Sequence, residues 1–67
     1  MAILKVIEIL ANSKTSWEDA ANSAVKEASK TVKDIRSVFV MSQSCTVADG
    51  KVDEYRVNVK ITFGIYS

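Results

Sequence analysis

The chain has 67 residues, nine of them basic and eight acidic, with one Cys and no His. A single domain of that length buries only about 60% of the surface its unfolded chain exposes, one thiol gives no internal disulfide, and without a Cys/His cluster there is no structural zinc site. The net charge of +1 provides no pull toward nucleic acid or an anionic membrane.

Oligomerisation is the remaining common way to stabilise so small a scaffold. The apolar start Met1–Leu10 is interrupted by Lys5 and Glu8, which makes it a poor signal-peptide core and too short a run to span a bilayer. A cytoplasmic protein is therefore expected.

Residues 3–10 read as a first strand, in which Ile3, Leu4, Val6, Ile7, Ile9 and Leu10 place apolar groups on both faces. That pattern suggests cover on both sides or a central place in the sheet. Residues 11–14 are a linker. Thr15-Ser16-Trp17-Glu18 then has the form of a capping box, with Thr15 as the cap. From there to about Asp34 the chain has neither Gly nor Pro, and Trp17, Ala20, Ala21, Ala24, Val25, Ala28 and Val32 keep helical spacing on one side. The small Ala residues predict a helix axis close to the sheet, with Trp17 as a core residue at its wide end. Glu18 and Asp19 in the first turn, with Lys30 and Lys33 in the last, complement the helix dipole at about 0.3–1 kcal/mol each.

Residues 35–47 read as a second strand, and Asp49-Gly50 as a two-residue type I′ turn, which needs positive φ at both positions. Val52–Ile65 is a long third strand. Tyr55, Val57, Val59, Ile61, Phe63 and Ile65 alternate with Glu54, Arg56, Asn58, Lys60 and Thr62, the period of a strand with one buried face. At about 3.3 Å per residue the run is roughly 45 Å long, more than one small subunit can shelter. Part of it is expected to be covered by other copies.

Pairing Ala48 with Lys51 sets Val40 opposite Val59 and Val38 opposite Ile61 on the helix side. Ser37, Phe39, Met41, Gln43 and Cys45 then lie beside Arg56, Asn58 and Lys60 on the other side, unless a bulge shifts the register by one. A mixed face of this kind suits a subunit interface or a pocket at one.

The segments Lys5-Val6-Ile7-Glu8-Ile9, Thr15-Ser16-Trp17-Glu18-Asp19-Ala20, Ala28-Ser29-Lys30-Thr31-Val32, Asp49-Gly50-Lys51-Val52 and Tyr55-Arg56-Val57, in that order, resemble the dodecins over nearly the whole chain. The resemblance implies an α+β fold with order β-α-β-β, a three-stranded antiparallel sheet partly wrapped around one helix, with residues 1–67 as a single domain. It also implies a homododecameric shell binding or storing FMN, FAD or riboflavin, with some members taking coenzyme A or metal ions. In the family, flavins stack on a Trp and hydrogen-bond a Gln. Here Ser37 and Arg56 stand in those places.

Flavin affinity should therefore be reduced, since stacking is worth about 1–3 kcal/mol per ring and Arg56 donates but cannot accept. Ser37, Arg56, Gln43 and Ser44 form the candidate cofactor-binding set. The pattern looks more like the subgroup without the flavin Trp, for which calcium binding or a purely structural shell has been proposed. The alternative is thus a structural or calcium-sequestering dodecamer that binds no flavin.

Other features have plainer readings. Cys45 has no His to activate it and fits a small half-buried hydrophobe. Lys26, Lys30 and Lys33 form a basic stripe best read as a solvated helix face. Asp49, Asp53 and Glu54 cluster near the turn as possible ligands of a calcium ion shared with carboxylates of a neighbouring copy, without the twelve-residue loop of a dedicated calcium site. With no nucleophile–base pair, no enzyme activity is expected. Partners are expected to be other copies and a small ligand, not nucleic acid or membrane.

Overall fold

Four elements follow one another in the structure, a computed structural model that describes residues 3–66: β1 (Ile3–Ser13), α1 (Trp17–Ala28), β2 (Ile35–Ala48) and β3 (Lys51–Tyr66). The three strands form one antiparallel sheet in the order β1-β3-β2. The strand with the cleanest apolar alternation thus takes the centre. β1, whose two apolar faces suggested cover on both sides or a central place, is an edge strand, which corrects the second alternative. Its helix-side residues Ile7, Ile9 and Ala11 pack on the core, while Leu4, Val6 and Leu10 on the other face stay exposed.

The core lies between α1 and β3. Ala20, Ala24 and Ala28 recur every four residues along α1 and are buried against Val57, Val59 and Ile61. Alanine methyls let the helix axis approach the sheet closely, so the β-branched side chains of β3 fill the gap without voids. Phe63 is also buried, and Trp17, Ala21, Val25, Val32 and Ile35 close the margins. Each fully buried Val or Ile contributes about 1.5–3 kcal/mol.

α1 ends at Ala28, not near Asp34. The Ser29 hydroxyl donates to Lys26 O (2.7 Å) and that of Thr31 to Ala28 O (3.3 Å). Such local bonds compete with helix continuation, and Asp34, at φ 60°, reverses the chain into β2. Lys30 and Lys33 consequently lie beyond the helix, leaving Lys26 as the basic residue of the last turn. The three lysines form no stripe, and Lys30 pairs with Glu27 at 2.9 Å.

The hairpin turn has the expected form, with Asp49 at φ 53° and Gly50 at φ 73°. Ala48 pairs with Lys51, Val40 with Val59 and Val38 with Ile61. Two irregularities intervene. Near the turn Asp53 is an extra residue on β3, and Met41 is an extra residue on β2, so the register moves by one between Ser42 and Thr46 and then returns. Ser42, Ser44 and Thr46 therefore stand opposite Asn58, Arg56 and Glu54, whereas Gln43 and Cys45 stand opposite Val57 and Tyr55 on the helix side. The expected placement of Gln43 and Cys45 beside Arg56 is thus corrected by these bulges.

The molecule is flat and long, 51 × 20 × 13 Å. Its accessible surface of 4840 Å² exceeds the about 4,200 Å² of a globular monomer of this mass. Much of the excess is apolar: Phe39, Val47 and Leu10 are 65%, 69% and 62% exposed.

Candidate functional site

The β1–α1 connection is built around Ser13, a buried polar residue. Its Oγ donates to Asp19 Oδ2 (2.7 Å) and accepts from the N–H groups of Thr15 (2.9 Å) and Ser16 (3.4 Å). The helix cap is Ser16, whose Oγ accepts from Asp19 N (2.9 Å), and not Thr15. The cap thus falls one residue later than the capping-box pattern places it, with Ser13 Oγ receiving the N–H groups of both Thr15 and Ser16. Trp17 then ties the helix start to the hairpin. Its Nε1 donates to Ser44 O (2.9 Å), and its ring meets that of Tyr55 edge to face at 5.0 Å. Trp17 is thus a structural residue, as its place at the helix start suggests.

On the sheet face away from α1, side chains form rows across the three strands. Arg56 lies between Asn12 on β1 and Ser44 on β2, and its Nε donates to Asn12 Oδ1 (3.0 Å). Arg56 is half-buried as a residue, and its guanidinium has no acidic partner within ion-pair distance among the described residues. Ser37 lies opposite Thr62 on the same face. Thr62 and Arg56 are six residues apart on β3, about 20 Å, so one subunit does not bring Ser37 and Arg56 together. Of the candidate set, only Ser44 and Arg56 are direct neighbours. Gln43 points to the opposite side. The described residues of one subunit enclose no pocket.

The acidic residues near the turn do not converge. Asp49 is in the turn, Asp53 is the bulged residue with Lys14 Nζ at 3.9 Å, and Glu54 faces Thr46. No three acidic, Cys or His side chains among the described residues come close enough to hold a metal ion. Cys45 is a free, half-buried thiol opposite Tyr55.

One feature of this face was not anticipated from the residues. Asp34 receives two hydrogen bonds from Arg36, Nε to Oδ1 (3.0 Å) and Nη2 to Oδ2 (2.9 Å). These bonds, opposed by desolvation and helped by the guanidinium charge, lower the pKa of the Asp34 carboxyl and raise that of Arg36. The pair rests over Gly64, whose N–H donates to Asp34 O (2.9 Å). A Gly inside a strand signals such a close approach.

Against known proteins, the family model described as Dodecin matches residues 3–66. A curated relative, "Calcium dodecin" of Mycobacterium tuberculosis, is 40% identical over 63 residues, covering 94% of this chain and 89% of its own. A crystal structure of that relative, titled as a calcium-chelating immunodominant antigen with a novel calcium-binding site, superposes with a TM-score of 0.84 at 40% identity over 96% of this chain and 91% of its own. The dodecin of Streptomyces coelicolor superposes with a TM-score of 0.92 at 24% identity over 98% of this chain and 94% of its own, a likeness of fold. With its strand order, its single helix and nearly every residue matched to the family model, the chain belongs to the dodecin family.

Proposed function

We propose that the chain is the subunit of a homododecameric shell without catalytic activity, which binds or stores a small ligand and has weak affinity for flavin. The observation that carries this reading is the uncovered sheet. A subunit with surplus surface, exposed Leu10, Phe39 and Val47 and no pocket of its own among the described residues must find both cover and binding sites between copies. On that face a flavin would meet the hydroxyl of Ser37 in place of an indole. Arg56, tethered to Asn12, offers donors only. The expected consequence is flavin binding weaker by orders of magnitude than two stacking rings would give.

A second reading, a calcium-sequestering or structural shell that binds no flavin, is favoured by the relative named calcium dodecin. Asp49, Asp53 and Glu54 are too dispersed in one subunit to satisfy six to eight oxygen ligands, so such a site would be completed by a neighbouring copy.

Titration of riboflavin or FMN with the purified assembly, followed by flavin fluorescence, tests the first reading. Sub-micromolar quenching would refute weak affinity. Ser37→Trp combined with Arg56→Gln should raise affinity; no rise would dismiss the site assignment. Calorimetry with calcium on chelator-treated protein separates the readings, and a flat trace removes the calcium version.

A further inference from the structure

We infer that the Asp34–Arg36 ion pair, seated on Gly64, closes the end of the core by turning Ile35 in and Arg36 out at the start of β2. Ser37 stands opposite Thr62 on the outer face, the register that the hairpin turn already fixes. From there, strict alternation would set Arg36 opposite Phe63 on the helix side and Ile35 opposite Gly64 on the outer face. The observed order is the reverse. Ile35 stands opposite Phe63, and Arg36 is an extra residue between Ile35 and Ser37. The bulge leaves Ser37 in place and gives Ile35 the inner position. Phe63 is 7% exposed, and Ile35 packs against the core beneath α1. A guanidinium in Ile35's place would lose its water, which is costly for an unpaired charge, and Lys5 on β1 already occupies the other end of that row. On the outer face Arg36 and Asp34 stay 46% and 47% exposed, so the charge keeps its hydration and has a partner.

Three features hold this arrangement. Asp34 precedes β2 in the left-handed region, φ 60°, where Asp is tolerated and most side chains are not. Its backbone carbonyl accepts from Gly64 N (2.9 Å), which anchors the start of β2 on β3. Its carboxylate accepts both prongs of the Arg36 fork (3.0 and 2.9 Å). A Cβ on Gly64 would collide with Asp34 Oδ2 and lie 3.4 Å from Arg36 Nη2, so β3 offers the pair a seat of bare backbone. Ile35 lies between the two paired residues. With the side chains of Asp34 and Arg36 joined over the outer face, that of Ile35 is left the opposite side, toward Phe63. The inference concerns the closure of the core and holds whichever ligand the protein takes.

The test is NMR on the full chain labelled at the Ile δ1 methyls, with Ile35→Val identifying the Ile35 signal by its loss. A nuclear Overhauser contact between the Ile35 methyl and the Phe63 ring reports Ile35 turned in, as residues directly opposite on one face require. Protection of the Arg36 Nε–H from solvent exchange reports the fork. Asp34→Ala and Gly64→Val should each weaken the Ile35–Phe63 contact severalfold and remove the protection. Asp34→Asn, which tolerates left-handed backbone and keeps an acceptor, should weaken the contact less than Asp34→Ala. An undiminished contact in both Asp34→Ala and Gly64→Val overturns the inference. Ile35→Ser removes the apolar drive for burial, and the Arg36 Nε–H should stay protected in it. Loss of that protection would mean that burial of Ile35 alone holds the bulge, and also overturns the inference. Should Asp34→Ala or Gly64→Val fail to fold, Arg36→Lys keeps the charge but not the two-pronged bond, and an undiminished contact in it has the same force.

Discussion

Val59 and Ile61 on β3 lie directly opposite Val40 and Val38 on β2, on the same face of the same sheet. The β3 pair is fully buried, yet the β2 pair is 38% exposed. The residue types are nearly the same and the strands are adjacent, so composition does not explain the difference. The position of α1 does. The helix lies chiefly over β1 and β3 and is too narrow to roof a three-stranded sheet, leaving the β2 margin and the hairpin tip bare. One half of the sheet is therefore stabilised within the subunit. The other half, with Phe39 on the outer face, Met41 at the bulge and Val47 and Val52 at the tip, has apolar surface that the chain itself leaves uncovered.

The largest effect is expected in the covered half. Ile61→Ala should cost about 2–5 kcal/mol of unfolding free energy, measured by denaturant unfolding at fixed protein concentration. A cost below about 1 kcal/mol would mean that the core beneath α1 is looser than its burial implies. In the bare half, Phe39→Asp should leave the subunit's secondary structure intact while abolishing the assembly by light scattering, because an unpaired carboxylate cannot be buried at an apolar interface. An unchanged particle mass would show that this face stays free.

Smaller changes sharpen the boundary between the halves. Trp17→Phe removes the indole bond to Ser44 O and should cost about 1 kcal/mol, seen as a lowered denaturation midpoint. Ser16→Ala should likewise cost about 1 kcal/mol as loss of the cap. Thr15→Ala should change stability by under about 0.5 kcal/mol, because the exposed Thr15 side chain is not the one that caps the helix.

The smallest effect is electrostatic. Because the Arg36 bonds lower the Asp34 pKa below its ordinary 3.8, the pair's contribution is present above that pH. It is lost only as the pH falls through the lowered value. The pair is exposed, so the energy is slight, and the Asp34 carboxyl carbon shift in an NMR titration is the suitable readout. A midpoint above 3.8 would contradict the bond.

Much of the fold was legible because local physics agreed with the final packing. The two-residue apolar period marked β3, the Ala spacing marked the buried stripe of α1, and Asp49-Gly50 marked the turn. What misled were places where a short-range alternative won. The cap fell at Ser16 and not at Thr15, hydroxyls of Ser29 and Thr31 competed with the continuation of α1, and bulges at Met41 and Asp53 moved Gln43 and Cys45 to the helix side. The candidate site was less legible. Arg56 and Ser44 do adjoin, but Ser37 lies far along the sheet, and the Asp34–Arg36 fork over Gly64 joins residues thirty positions apart that no local pattern links.

By itself the amino-acid sequence determined the elements, their order, the turn and the face of β3 that becomes core, because hydrophobic periodicity and turn chemistry act over a few residues. Only the tertiary structure decided which strand is central, which half of the sheet the helix covers, and on which face each β2 side chain stands. Those outcomes follow from bulges and from the width of a helix laid across a sheet, and both depend on contacts between segments distant in the chain.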